Sequence, residues 1–254
     1  MGRKLPGFKA SRVIFLAATS VLAADWTLGV TLYDGAAGTS PQSQGWLSYY
    51  SLPGTGVQTV AGGKTTYDST ASASERGGFS SHTILGTLVN TAFPTLDRSV
   101  GYTVSIDLKL LSETHASNDR AGFSIIAISS DLQGIELGFW TNEIWAQSGP
   151  SFTHAEGVAA NTTAANTTYD LTIQGSNYSL LANGTPILSG LLRNYSSFGL
   201  PYNLPSYLFI GDDTGSAAGA FEFSRLAVAA VPEPTTSLFV AAAVLLGVTI
   251  VRRR

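Results

Sequence analysis

An all-β sandwich is the fold class this sequence predicts, and three observations lead to it. Short runs of alternating apolar and polar residues recur along the middle of the chain, separated by Gly, Asn, Ser and Thr. No stretch sustains a 3.6-residue apolar period over three turns, so amphipathic helices are not expected there. Cysteine is absent, so the core must hold by apolar burial without disulfide staples, and about 200 residues suffice for that in one domain.

The amino-terminal segment comes first. Arg3, Lys4, Lys9 and Arg12 precede an apolar run over 13–22, and the small residues Ala23 and Ala24 close it. A basic region, an apolar region and a small-residue cleavage site together read as a secretory signal peptide over 1–24. The exported domain is then expected over 25–230. Between residues 25 and 231 seven basic residues face sixteen acidic ones, a balance near −9. Nucleic-acid binding needs clustered Lys and Arg, so no nucleic-acid partner is expected.

Strands are expected at 103–111, 121–129, 135–140, 143–148, 169–174, 178–182, 207–211 and 220–227, with 25–100 supplying further, less readable ones. Val104, Ile106, Leu108 and Leu110 share one face of their strand. Asn183-Gly184, between 178–182 and 185–189, is a strong type I′ hairpin signal, because both turn residues must take positive φ. A second hairpin is expected to turn at Thr141-Asn142. It pairs Trp140 with Glu143, Phe139 with Ile144, Gly138 with Trp145 and Leu137 with Ala146. Leu137, Phe139, Ile144 and Ala146 then form a core face, while Glu136, Trp140, Glu143, Trp145 and Gln147 form the opposite one.

At the carboxyl end Val231, Pro232, Glu233 and Pro234 lead into an apolar segment, 235–251, followed by Arg252, Arg253 and Arg254. As a helix its 17 residues would extend about 25 Å, near the lower limit for spanning a bilayer. Both prolines are excluded from a helix interior and so set its boundary. The arginines would lie on the cytoplasmic side, which leaves the main domain outside the inner membrane.

Two resemblances follow from these residues. The Val231-Pro232-Glu233-Pro234 run, the single span and the arginine cluster together resemble the PEP-CTERM sorting signal of bacterial exopolysaccharide producers. The resemblance implies recognition of Pro232-Glu233-Pro234 by an exosortase, a membrane transpeptidase, and removal of the helix. An ordinary tail anchor with a proline hinge is the alternative. The strand order, together with Arg120-Ala121-Gly122-Phe123, 135–140, 180–184 and Phe209-Ile210-Gly211-Asp212-Asp213, resembles the concanavalin A-like (laminin-G-like) jelly roll over 100–228.

That superfamily includes glucanases, and its retaining laminarinase-type enzymes carry carboxylates at alternate positions on one strand. Here Glu136 is followed by Gly138 and Trp140 where the further carboxylates would stand. A non-enzymatic exported envelope or matrix protein that binds polysaccharide is therefore expected, with a glycan-active cleft enzyme as the alternative. Trp140 and Trp145, flanked by Glu136 and Glu143, are the candidate sugar-stacking residues; the competing reading is that both indoles are packing. Asp212 and Asp213, at a strand end before Thr214-Gly215, suit either a calcium ion or a plain turn. His82, His115 and His154 fall in no metal-spacing motif and are expected in exposed loops.

If an exosortase processes the chain, the intact mass of the mature surface protein will lack everything after about Pro234. Retention of Arg252–Arg254 in that mass would identify a plain anchor instead.

Overall fold

The computed structural model describes residues 29–231. The expected signal peptide (1–24), the apolar span (235–251), Pro232, Glu233, Pro234, Arg252, Arg253 and Arg254 lie outside the described residues. Val231 lies within them, its N–H donating to the Gly101 carbonyl at 3.0 Å.

The strands run in chain order as β1 (Val30–Asp34), β2 (Leu47–Tyr50), β3 (Val57–Ala61), β4 (Lys64–Asp68), β5 (Gly77–Ser80), β6 (Tyr102–His115), β7 (Ser124–Ile128) and β8 (Gln133–Phe139). They continue as β9 (Glu143–Gln147), β10 (His154–Ala159), β11 (Thr167–Gln174), β12 (Asn177–Ala182), β13 (Thr185–Leu191), β14 (Arg193–Asn194), β15 (Tyr207–Asp212) and β16 (Ala217–Ala230). They form two antiparallel sheets. The first has the order β13-β12-β11-β6-β16-β4-β3, with β1 also on β16, and the second has the order β10-β9-β8-β7-β15-β5-β2, with β14 also on β8. This is the all-β sandwich that the alternation predicts.

Each sheet contributes its alternate residues to one core. Val104, Ile106, Leu108 and Leu110 of β6 are all buried there, as their spacing requires. From the other sheet come Ile125 and Ala127 of β7, Leu137 and Phe139 of β8, and Leu208 and Ile210 of β15. Phe221 of β16 sits at the centre, its ring 4.6 Å from that of Phe123 and 5.8 Å from that of Tyr67. The two longest strands, β6 and β16, pair along nearly their whole length and make the spine of the first sheet.

Both hairpins have the expected register. Leu137 faces Ala146, Gly138 faces Trp145 and Phe139 faces Ile144, and the Trp140 N–H donates to the Glu143 carbonyl at 2.8 Å. Asn183 and Gly184 take φ of 49° and 77°, the left-handed pair of a type I′ turn. A third hairpin, β3–β4, turns at Gly62 and Gly63, with φ of 60° and 77°. The Gly-Gly signal was in the sequence, but its strands are half exposed and rich in polar residues, so their apolar alternation is faint.

Removing the Phe221 ring is expected to cost about 3–5 kcal/mol, because its neighbours belong to two sheets and cannot collapse together. Urea denaturation of Phe221→Ala measures this; a loss below about 1 kcal/mol would show the core to be loosely packed at that point.

Candidate functional site

An ordinary antiparallel sandwich leaves the outer face of each sheet to water. The second sheet departs from this. All five residues of β7 and all six of β15 are buried, so both faces of these strands are covered. A second apolar cluster lies on the outer face: Ile126 and Ile128 from β7, Tyr207 and Phe209 from β15, and Tyr195, Tyr202 and Leu204 from the segment that follows β14. That segment is tied down by the Tyr195 hydroxyl, which donates to the Gln147 carbonyl at 2.7 Å. Phe152 wedges against it, its ring 5.8 Å from that of Tyr195 and 5.3 Å from that of Tyr202.

Beside this cover lies a cavity of about 410 Å³. Tyr49, Phe152, Tyr202, Tyr207 and Phe209 give it aromatic walls, and Arg76, Arg120, His82 and Asp213 bring polar groups to it. Its volume and its mixture of apolar walls with a few polar groups are those of a small-ligand site. Burial holds the His82 imidazole below its ordinary pKa, so it is neutral near pH 7, and its Nδ1 lies 2.9 Å from Ser81 Oγ.

Two carboxyl groups meet at one phenol. The Tyr202 hydroxyl lies 2.6 Å from Glu136 Oε2 and 3.2 Å from Asp213 Oδ2. A hydroxyl has one proton to give, so Tyr202 donates to one carboxyl at a time. Burial, and next the neighbouring Asp213 charge, push Glu136 well above the usual carboxylate range. Burial likewise raises Asp213, against hydrogen bonds from Ser124 and Tyr202 that lower it. The pair therefore retains a proton where isolated carboxylates would have lost theirs.

Asp212 points the other way. Its Oδ2 lies 2.7 Å from Ser69 Oγ and its Oδ1 accepts from the Thr214 N–H at 3.2 Å, in the fully buried layer beneath β15. Asp213, just beyond β15, instead meets Tyr202, so Asp212 and Asp213, the candidate calcium pair, have different partners and form two separate carboxyl sites. Among the described residues no group of three or more His, Asp or Glu side chains could hold a metal ion. Burial raises the Asp212 pKa to about 8. A protonated Asp212 can donate to Ser69, leaving the Ser69 hydroxyl free to donate to the Gly219 carbonyl 3.1 Å away.

The four candidate stacking residues divide. Glu136 lies beneath Tyr202, which lines the cavity and leaves the glutamate 4% exposed. Trp145 is 1% exposed because its indole fills the space over Gly138, where a Cβ would stand 2.7 Å from the ring. Trp140 donates from Nε1 to the Arg120 carbonyl at 2.8 Å, and imidazoles occupy its surroundings. The His115 ring is stacked at 4.2 Å and the His154 ring at 5.2 Å. Glu143 stands beside His154, with Oε1 3.2 Å from Nε2. Neither indole presents a free face to a sugar. The histidines also differ from the expectation of exposed loops: His82 is buried, while His115 and His154 end or begin strands and flank Trp140.

Among the residues that line the cavity, Asp213 and His82 stand out in the sequence as residues to weigh for metal binding, but none of the aromatic ones is a site candidate there. The segment from Tyr195 to Tyr207 nevertheless carried a signal, since Tyr195, Phe198, Tyr202 and Tyr207 are an unusual aromatic density for a connection between strands.

This geometry defines the protein as a jelly-roll sandwich with a covered sheet and a ligand-sized cavity, and solved structures share the architecture. A carbohydrate esterase from the Shiga toxin-encoding bacteriophage phi24B aligns over 80% of this chain and 100% of its own, at 13% identity and a TM-score of 0.55. Alginate lyase A1-II', of polysaccharide lyase family 7, aligns over 81% of this chain and 96% of its own, at 14% identity and a TM-score of 0.42. At such identity the likeness is one of fold. No curated protein matches the chain in sequence. Residues 230–254 match the PEP-CTERM protein-sorting motif. The protein therefore carries the signal of an exported chain that is anchored in the membrane before an exosortase processes it.

Asp212 supplies a test of the buried layer. Its folded pKa of about 8 lies above the ordinary 3.8. Between those values the unfolded chain has released a proton that the folded chain keeps, so stability falls as pH rises through the window and levels off above it. Asp212→Asn removes that titration. Thermal melts between about pH 4 and about pH 8 are expected to decline less steeply for the variant than for the natural chain. Parallel slopes would show that Asp212 is ionised in the fold.

Proposed function

We propose that this is a non-enzymatic protein of the cell envelope or extracellular matrix, delivered to the outer side of the inner membrane and sorted there, whose sandwich domain binds polysaccharide in the cavity over the second sheet. The aromatic lining of that cavity carries the reading. Tyrosine rings stack on the apolar faces of sugars, while the phenol, guanidinium and carboxyl groups beside them match hydroxyls. The sorting motif at 230–254 supports the setting, because it belongs to exported chains anchored in the membrane before processing.

A second reading, a glycan-active enzyme, is favoured by the protonated Glu136–Asp213 pair, since a carboxyl with a raised pKa is the usual general acid. Against it stands the position of Glu136. Tyr202 lies between that carboxyl and the cavity, so a substrate would reach it only after the phenol moved.

A glycan array probed with the full-length chain tests the binding reading, and binding to no polysaccharide by the folded chain would sink it. For a polymer that does bind, Tyr49→Ala is expected to weaken affinity about tenfold, roughly 1.4 kcal/mol, while Trp145→Phe leaves it unchanged. The opposite pattern would return the site to the tryptophans. Release of reducing sugar that Glu136→Gln abolishes would select the enzyme.

A further inference from the structure

We infer that the cavity over the second sheet takes a sugar bearing an anionic group, so that its preferred polymer is an acidic polysaccharide. This rests on the polysaccharide-binding reading and adds the chemical class of the ligand.

The argument begins with where the domain places its few cations. Lys64, Arg98 and Arg193 are spent in ion pairs with Glu222, Asp131 and Glu156, at 2.6, 2.7 and 2.5 Å. Lys109 and Arg225 stand opposite Glu222 and Asp107 across the β6–β16 ladder. Arg76 and Arg120 both line the cavity, and among the described residues neither is in an ion pair. In a domain with so large an excess of acid, two guanidinium groups outside any ion pair on one cavity are a strong local asymmetry.

Their hydrogen bonds point the same way. Arg120 is held in place by Nη1, which donates to the Asp119 carbonyl at 2.5 Å and the Phe152 carbonyl at 2.9 Å, and its guanidinium lies 5.2 Å from the centre of the Phe152 ring. Those two bonds use both Nη1 hydrogens. Nε and Nη2, which form one edge of the fork, have no acceptor among the described residues. Arg76 is exposed and makes only backbone hydrogen bonds, its N–H donating to Ser51 Oγ at 2.8 Å and its carbonyl accepting from the Ser51 N–H at 2.9 Å. A guanidinium edge with free parallel donors is the natural partner of a carboxylate, sulfate or phosphate.

Glu136 and Asp213 do not cancel this. Both touch the same Tyr202 hydroxyl, and with burial raising both carboxyls, one proton held on the pair is favoured. The pair brings at most about one negative charge against two positive ones. A cationic amino sugar would have to approach past both guanidinium groups, whereas an anionic one is drawn to them.

The test compares three probes on the full-length chain in detergent: polygalacturonate, dextran sulfate, and polygalacturonate whose carboxyl groups have been reduced to alcohols. At least one anionic polymer is expected to bind about tenfold or more tightly than the neutral one, and which of the two binds better tells carboxylate from sulfate. Arg76→Gln changes an exposed side chain with no partner to lose, so folding is not at risk. It is expected to reduce the anionic affinity about tenfold and the neutral affinity by clearly less, so that the preference shrinks, while Lys109→Gln, on the other sheet, changes neither. Equal binding of the neutral and anionic polymers would overturn the inference while leaving polysaccharide binding intact. So would an unchanged preference in Arg76→Gln, or an equal loss in Lys109→Gln. Binding of none of the three would overturn both.

Discussion

Strands β7 and β15 of the second sheet are buried on both faces, and the character of the site follows from that constraint. A polar group on such a strand is costly unless a partner within the protein meets it, because water is not there to do it. The tyrosines of the cover meet this requirement. Tyr195 donates to the Gln147 carbonyl and Tyr202 to the carboxyl pair, so each phenol brings a ring to the apolar cluster and a hydroxyl to a polar group beneath it.

The same dryness explains the carboxyl groups. Glu136 lies on the outer face of β8 and Asp213 at the end of β15, in strands separated by β7. In water they would be two ordinary anions. Under the tyrosine cover their charges are costly, and a proton held between them is the cheaper solution. Asp212, one residue away, is also raised, mainly by burial on the inner side, where Ser69 and Thr214 replace the phenol. The sandwich thus holds raised carboxyls on both sides of one strand end, for one physical reason.

Much of the fold was legible because local signals agreed with the global one. Val104 to Leu110 alternated and became a core face; Asn183-Gly184 announced its turn; Thr141-Asn142 set a register that then followed residue by residue. The site was less legible. Glu136 was visible as a carboxyl on the outer face, but its partner Tyr202 lies 66 residues further along. Trp140 and Trp145 were visible as a pair on one face, but His115 and His154, which enclose Trp140, come from strands on either side in sequence. Gly138 was a missing carboxylate in the sequence, and in the fold it is the hollow that Trp145 fills.

By itself the sequence determined the protein's class and its route. Alternation, turn residues and the absence of cysteine define a sandwich held by apolar burial, and the Pro-Glu-Pro segment with its apolar span and arginines matches a sorting motif. Local spacing carries both, because strands, turns and membrane spans are properties of neighbouring residues. Only the tertiary structure decided which outward faces stay open. Whether an indole or a carboxylate on a strand's second face meets water depends on a segment far away in the chain that folds over it. Here that segment covers the acids and leaves a cavity beside them, and the ladder and its flanking histidines close over the tryptophans.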